Sequence, residues 1–124
     1  YNYLVKMVLY SIIIPTYEEK ENIDILISSI DKYLTKENVN FEIIVVDDNS
    51  PDGTKESVIK MQKLLGEEKV KLLNRKGKLG LGTAYIDGFD LTKGDFIFLM
   101  DADFSHHPKF LISYIKKQKE ENSD

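Results

Sequence analysis

The chain has 124 residues and contains no cysteine. This absence excludes disulfides, thiolate metal sites and a cysteine nucleophile, argues against a structural zinc site, and fits a reducing compartment. An excess of basic charge is also missing, because 17 lysines and arginines stand against 21 aspartates and glutamates, a net charge of -4. We therefore expect no nucleic-acid partner, and any phosphate-bearing ligand must be held by local groups.

Long apolar runs are absent as well. The apolar stretch over residues 1–14 is interrupted by Lys6 and Ser11, so it resembles neither a membrane span nor a signal peptide. We expect the chain itself to be soluble. With 42% hydrophobic residues and no internal repeat, its length suits one domain with a single core.

Alternating apolar segments predict the fold. Four of them have the composition of strands: Leu9–Ile14, Phe41–Val46, Val70–Leu73 and Asp95–Met100. The first, second and fourth are almost continuously apolar, which is typical of strands buried on both faces of a parallel sheet.

The segments between and after these strands predict helices. The first two have apolar faces at helical spacing, formed by Ile23, Leu26, Ile27, Ile30 and Leu34 and by Val58, Met61 and Leu65. A shorter helix is predicted over residues 80–89, and Pro108 suits the first position of a fourth. The order βαβαβαβα predicts an α/β, Rossmann-like fold with a doubly wound, mainly parallel sheet.

Ligands bind beyond the carboxyl ends of the strands in such a sheet. Polar, acidic or glycine-rich segments follow all four predicted strands, at residues 15–19, 47–54, 74–83 and 101–103. Their recurrence at one edge favours a binding site over a set of unrelated turns.

Asp101 and Asp103 follow the fourth strand, one residue apart. Two such carboxylates suit Mg²⁺ or Mn²⁺, which take oxygen ligands and keep part of their shell for water and substrate phosphates. An isolated Asp-x-Asp pair is more typical of a solvated turn than of a metal site, because the pattern is short and common. Its agreement with the other strand ends favours a nucleotide substrate.

The first two strand ends suggest contacts to a nucleoside. Tyr17 can stack on a base, and Glu19 can accept hydrogen bonds from ring N–H groups, although Tyr17 also suits a packed turn. At least one of Asp47 and Asp48 should point into the crevice and hold a base edge or ribose hydroxyl. Residues 49–54 are typical of a turn, with Thr54 as a helix cap.

The third strand end carries a glycine-rich basic loop. Its residues are Arg75, Gly77, Lys78, Gly80 and Gly82. A phosphate could dock there on free backbone N–H groups at a helix start. Alternatively, the glycines allow close helix packing and the cations are solvated. The spacing matches neither a dinucleotide fingerprint nor a Walker loop.

Four segments resemble the dolichol-phosphate mannosyltransferase family, a branch of the inverting GT-A glycosyltransferases of the family 2 type. They are Ile14–Glu19, Val45–Thr54, Gly77–Tyr85 and Met100–Pro108. The Gly-Lys-Leu-Gly-Leu-Gly run and the Ser-His-His-Pro after the acidic pair are specific to this branch. His106 and His107 are more typical of helix capping than of metal binding beside carboxylates.

The resemblance implies GDP-mannose as donor, dolichyl phosphate as acceptor, and a divalent cation, Mg²⁺ or Mn²⁺. It places the product on the cytosolic face of the endoplasmic reticulum membrane, reached through another region or accessory subunits. The product would serve N-glycosylation, GPI-anchor assembly and O-mannosylation. Residues 1–124 would form the donor-binding part of a GT-A domain without its acceptor half, able to bind donor but poorly active alone.

The resemblance also assigns residues to roles. The nucleotide contacts are Pro15, Tyr17, Glu19, Val46 and Asp48, joined by Lys78 of the basic loop, and the donor and metal motif is Asp101-Ala102-Asp103. Asp103 is the expected direct metal ligand, and Asp101 contacts the ribose, the sugar or the metal through water.

Two positions depart from the family pattern. Ser105 stands where some relatives place a glutamine metal ligand, so its own share in coordination stays open. Glu18 replaces the usual asparagine, with little consequence if its side chain faces solvent. No general base is expected, because the acceptor phosphate is already anionic and positioning with electrostatics suffices.

Three alternatives remain open from the sequence. One is a related GT-A transferase that uses UDP-glucose or another nucleotide sugar. A second is an inactive nucleotide-binding module. The third is a receiver-like signalling domain phosphorylated at Asp47 or Asp48, which leaves the acidic pair at Asp101 and Asp103 unexplained.

Overall fold

A computed structural model describes residues 8–77, 79–102 and 108–121. Strands and helices alternate through these residues: β1 (Leu9–Thr16), α1 (Lys20–Lys36), β2 (Asn40–Asp47), α2 (Thr54–Leu65), β3 (Val70–Asn74), α3 (Leu81–Phe89), β4 (Phe96–Leu99) and α4 (Pro108–Glu121). The predicted order of elements is confirmed, and each predicted strand is present with its ends shifted by at most two residues.

The described strands form one parallel sheet in the order β3-β2-β1-β4. Thr16 lies opposite Asp47, and Asp47 lies opposite Asn74, so three carboxyl ends are level. The chain extends the sheet from β1 to β3 and then returns to the other side of β1 for β4. This change of direction opens a crevice at the carboxyl ends of β1 and β4, where doubly wound sheets bind ligands.

The main core lies between one face of the sheet and helices α1, α2 and α4. The predicted apolar face of α1 is fully buried, and it comprises Ile23, Leu26, Ile27, Ile30 and Leu34. Each of these side chains contributes about 1.5–3 kcal/mol through removal from water. The packing of these helices against the sheet fixes the positions of the strand ends that carry the polar residues.

Helix α3 packs on the opposite face of the sheet, over Ile13, Ile44 and Val46. Its approach is close because Gly88 has no side chain. A Cβ there would lie 2.8 Å from Ile13 Cγ2 and 2.9 Å from Val46 Cγ2. The glycine therefore sets the height of α3 above the sheet.

Candidate functional site

The loop between β1 and α1 is held by the segment that follows β2. Three successive backbone N–H groups donate to side chains of that segment: Glu18 to Ser50 Oγ at 2.8 Å, Glu19 to Thr54 Oγ1 at 3.0 Å, and Lys20 to Asp52 Oδ2 at 3.2 Å. The turn predicted over residues 49–54 is thus a support for the neighbouring loop. Thr54 is the first residue of α2 and not its cap, which is Gly53 at φ +94°.

This loop presents two of the predicted nucleotide contacts. The Tyr17 side chain is 38% exposed, and Glu19 is half-buried with Oε2 accepting from Asn22 Nδ2 at 3.2 Å. The negative charge of Glu18 raises the pKa of Tyr17. Glu18 itself is exposed at φ +56°, a conformation that suits the family's usual asparagine better than glutamate.

Asp47 is a structural residue in this arrangement. It is fully buried and accepts hydrogen bonds from the Thr16 hydroxyl at 2.7 Å and from the Ser50 hydroxyl and backbone at 2.7 and 3.0 Å. These contacts join the ends of β1 and β2. Its carboxylate is therefore not exposed as a phosphoacceptor, which contradicts the receiver-like alternative at Asp47.

Asp48 pairs with Arg75, which follows β3. Arg75 Nε donates to Asp48 Oδ1 at 2.5 Å, and Nη2 donates to Oδ2 at 2.9 Å. The remaining donors reach the loop and α3: Nη2 to the Gly80 carbonyl at 3.0 Å, and Nη1 to Thr83 Oγ1 at 2.9 Å and Asp87 Oδ2 at 3.1 Å. All five guanidinium N–H groups are thereby engaged.

These contacts correct the prediction made for Arg75 in the glycine-rich loop. The Arg75 side chain is only 4% exposed, and its hydrogen bonds to Asp48 raise its pKa. Arg75 is an internal clamp that orients Asp48, and it is neither a phosphate ligand nor a solvated cation. The glycines do not provide close packing either, since a Cβ at Gly77, Gly80 or Gly82 would meet nothing within 4 Å.

Asp101 lies just beyond β4, where the ladder with β1 ends. The Met100 N–H donates to the Ile13 carbonyl at 3.0 Å, and Asp101 follows as a half-buried residue. The Tyr85 hydroxyl of α3 donates to Asp101 Oδ1 at 3.3 Å. Burial, and then the charge of Asp101, raise the pKa of Tyr85, which keeps its hydroxyl protonated. Ala102 is buried in the main core.

The other predicted site residues divide into two groups. Pro15 is half-buried in β1, and Val46 is fully buried beneath α3, so both lie at the ends of the central strands. Lys78, Asp103, Ser105, His106 and His107 lie outside the described residues, and their predicted roles stay predictions.

The described part of the site fits a hard divalent cation. Asp101 receives one long hydrogen bond from a described residue, so carboxylate oxygen remains available as a ligand. Within the described ranges no group of three or more histidine, aspartate or glutamate side chains could enclose a metal ion. Such a cage is unnecessary for Mg²⁺ or Mn²⁺, which use one or two carboxylates together with water and substrate phosphates.

The contacts of Tyr85, Thr83 and Asp87 were not predicted from the sequence. Thr83 and Asp87 are four residues apart and therefore lie on one side of α3. That spacing was the available signal. Their partner could not be identified, because Arg75 meets them only after β3 and α3 are in place.

Comparisons with known proteins agree with this architecture. The chain is 44% identical over 109 residues to the dolichol-phosphate mannosyltransferase of Pyrococcus furiosus, a match that covers 88% of this chain and 30% of that protein. It spans about a third of the length of the curated relatives it matches.

Solved structures share the fold. The mannosyltransferase PcManGT of Pyrobaculum calidifontis, in complex with GDP-Man and Mn²⁺, superposes with a TM-score of 0.69 at 24% identity, covering 80% of this chain and 28% of that one. The glucosyl-3-phosphoglycerate synthase of Mycobacterium tuberculosis, in complex with Mn²⁺, UDP and glucosyl-3-phosphoglycerate, gives 0.67 at 25% identity, covering 90% and 39%. Both are glycosyltransferases, which confirms the predicted Rossmann-like GT-A fold.

A family model settles the relationship, because the model for glycosyl transferase family 2 matches residues 11–124. The chain therefore belongs to glycosyl transferase family 2.

Proposed function

We propose that this chain is the donor-binding part of an inverting mannosyltransferase that moves mannose from GDP-mannose to dolichyl phosphate. The name of the Pyrococcus furiosus relative supports mannosyl transfer and this acceptor. Because the chain spans about a third of its relatives' length, the proposal assigns it the donor side alone.

One observation carries the proposal. Asp48 and Asp101 follow β2 and β4, which are not neighbours in the sheet, yet both connect to α3. Arg75 links Asp48 to Thr83 and Asp87, and Tyr85 contacts Asp101. The exposed ring of Tyr17 follows β1, which lies between those two strands. A nucleoside at Tyr17 and a diphosphate toward Asp101 match this arrangement.

Asp48 keeps capacity for a nucleoside. A carboxylate has about four acceptor positions. Described residues use three of them, one on Oδ1 from Arg75 and two on Oδ2 from Arg75 and from the Leu79 N–H at 3.3 Å. The described residues leave the fourth, on Oδ1, without a donor, and the Asp48 side chain is 9% exposed, so we infer that this position accepts from a base edge or a ribose hydroxyl. Arg75 preorganises this oxygen before the donor arrives.

At the other end, Asp101 together with Asp103 and Ser105 would hold the divalent cation. The cation held there would supply positive charge to offset the negative charge that develops on the leaving nucleoside diphosphate. Tyr17 and Glu19 hold the base, while Asp48 orients the nucleoside, so the anomeric carbon is positioned for in-line attack and inversion. No residue of this chain is assigned as a base, because a phosphate monoester attacks in its anionic form.

The acceptor implies a membrane-facing enzyme. No described helix combines the length and the apolar character that crossing a bilayer requires. We propose that contact with the endoplasmic reticulum membrane and its cytosolic face comes from another region or from accessory subunits, as the family resemblance implies. The pathways of N-glycosylation, GPI-anchor assembly and O-mannosylation follow from the same proposal.

Ligand-induced stabilisation tests the donor. Thermal unfolding is measured with GDP, UDP or CDP, each with and without Mn²⁺. We expect GDP with Mn²⁺ to give the largest shift, because a ligand at 100 times its Kd adds about 2.7 kcal/mol, roughly 8–12 °C for a domain of this size.

Two variants accompany this measurement. Asp101→Asn should lose the Mn²⁺-dependent part of the shift, whereas Asp90→Asn, at an exposed position after α3, should keep it. A larger shift with UDP would overturn the GDP-mannose assignment. That result would favour the alternative of a UDP-sugar donor, for which the UDP complex of the Mycobacterium tuberculosis synthase is the precedent.

A further inference from the structure

Tyr85 occupies a defined position between the sheet and the crevice. It lies on α3, and its ring packs against the cluster formed by Ile13, Ile44, Val46 and Ala84. Its hydroxyl extends beyond this apolar cluster and donates to Asp101 Oδ1 at 3.3 Å. One side chain therefore connects the packing of α3 to a carboxylate of the proposed donor site.

The helix that carries Tyr85 is fixed on both sides of it. Arg75 Nη1 donates to Thr83, two residues before Tyr85, and to Asp87, two residues after it. Gly88 seats the same helix closely on Ile13 and Val46. Because these contacts constrain the helix, the Tyr85 hydroxyl is a preorganised donor.

Asp101 needs such a donor. It follows the last ladder contact of β4, at Met100, so strand pairing does not fix its side chain. Tyr85 supplies the one hydrogen bond that Asp101 accepts from a described residue. When the hydroxyl holds Oδ1, no described residue donates to the other oxygen, Oδ2, which leaves it available to face a cation.

We propose that Tyr85 is a positioning residue that holds Asp101 Oδ1 and so presents Oδ2 to the divalent cation of the donor complex. The proposal rests on the function proposed above for Asp101. It also gives α3 a second role, since the helix that Arg75 ties to Asp48 also orients Asp101. The nucleoside end and the metal end of the site thus share one support.

The test is a titration with Mn²⁺ in the presence of GDP. The electron paramagnetic resonance signal of free Mn²⁺ measures how much of the metal is bound. Tyr85→Phe keeps the packed ring and removes only the hydroxyl. We expect about tenfold weaker Mn²⁺ binding, at the lower end of the range for loss of a group that orients a metal ligand. GDP affinity without metal and the thermal midpoint should not change.

Tyr114→Phe is the matched control, because it removes an exposed tyrosine hydroxyl on α4. It should leave Mn²⁺ binding as in the parent chain. A double-mutant cycle gives the decisive readout: in an Asp101→Asn background, Tyr85→Phe should cause no further loss of Mn²⁺ affinity.

Three results would overturn the proposal. They are unchanged Mn²⁺ affinity in Tyr85→Phe, an equal loss of GDP affinity without metal, and full additivity with Asp101→Asn. Failure of the parent chain to bind Mn²⁺ with GDP would instead refute the proposed function itself, and full Mn²⁺ affinity in Asp101→Asn would refute the metal role proposed there for Asp101. The two failures are therefore distinguishable.

Discussion

Glu42 shows what a buried charge does far from the candidate site. It lies on β2, toward the amino ends of the strands, and is 3% exposed. It accepts from the Ser11 hydroxyl, the Lys71 ammonium and the Lys93 backbone N–H, each at 2.6 Å. These contacts join β1, β2, β3 and the segment before β4. Full satisfaction is required, because an unpaired buried carboxylate is strongly destabilising.

Glu42→Gln should therefore destabilise the fold at neutral pH. We expect a loss of about 2 kcal/mol, below the 3–5 kcal/mol of a fully buried pair, because Lys71 is 21% exposed and gains water when its partner is lost. Urea unfolding at pH 7 measures this loss in the free energy of unfolding. Glu67→Gln, at an exposed position, should change the free energy of unfolding by less than about 0.5 kcal/mol. Equal effects of the two variants would contradict the argument.

The same substitution should alter the pH dependence of stability. Burial alone raises the pKa of Glu42, but hydrogen bonds from Lys71, the Lys93 backbone and Ser11 outweigh it and hold the pKa below its ordinary value of 4.5. A lowered native pKa stabilises fully above pH 4.5, and this stabilisation is lost as the pH falls below it. The difference in the free energy of unfolding between the parent chain and Glu42→Gln should therefore become smaller below pH 4.5.

Residue types were predictable at the site, but their partners were not. The sequence indicates that Asp48 and Arg75 follow two strands and carry opposite charges. Whether they meet each other or a ligand depends on the register of β2 with β3, which sets Asp47 opposite Asn74. The two residues are 27 positions apart in the sequence. The pairing of Arg75 with Asp48 can therefore be identified only from the folded structure.

At the scale of elements, the pattern of apolar residues predicts the helix and strand segments that are packed in the core. It does not predict segments that are held by hydrogen bonds alone. The apolar face of α1 was confirmed because burial and helical spacing act on the same residues. Strand β1 continues two residues past its predicted end, through Pro15 and Thr16. The ladder with β2 extends it, since Thr16 pairs with Asp47. A pattern of apolar residues does not predict a strand pairing between polar residues such as Thr16 and Asp47.

Helix α3 shows how one glycine can matter more than its neighbours. Gly88→Ala places a Cβ within 3 Å of Ile13 and Val46, so α3 must move outward, at a cost of about 1–3 kcal/mol. Gly82→Ala, in the first turn of the same helix, meets nothing within 4 Å and should be neutral or stabilising by up to about 1 kcal/mol. Thermal unfolding compares them. Equal stability of both variants would show that α3 does not pack this closely.

At the scale of the molecule, the buried Glu42 network and the proposed binding site lie at opposite edges of the sheet. The Glu42 network lies at the amino ends of the strands, whereas Tyr17, Asp48 and Asp101 follow the carboxyl ends. The strand order β3-β2-β1-β4 makes this division, because the reversal at β1 opens the crevice at one edge. The sequence predicts the edge but not the donor sugar, since the carboxylates there suit more than one nucleotide sugar.

Donor binding and sugar transfer should therefore separate in this chain. The one arginine, Arg75, engages all five donors internally, so it cannot also hold an acceptor phosphate. We expect GDP-mannose with Mn²⁺ to bind measurably by calorimetry. Transfer of labelled mannose to a short-chain dolichyl phosphate should not exceed the background of Asp101→Asn. Transfer above that background would show that these residues also supply the acceptor site, and absence of donor binding would refute the proposed donor site. Donor-dependent Mn²⁺ binding without transfer, even in a longer protein that includes an acceptor half, would favour the inactive-module alternative.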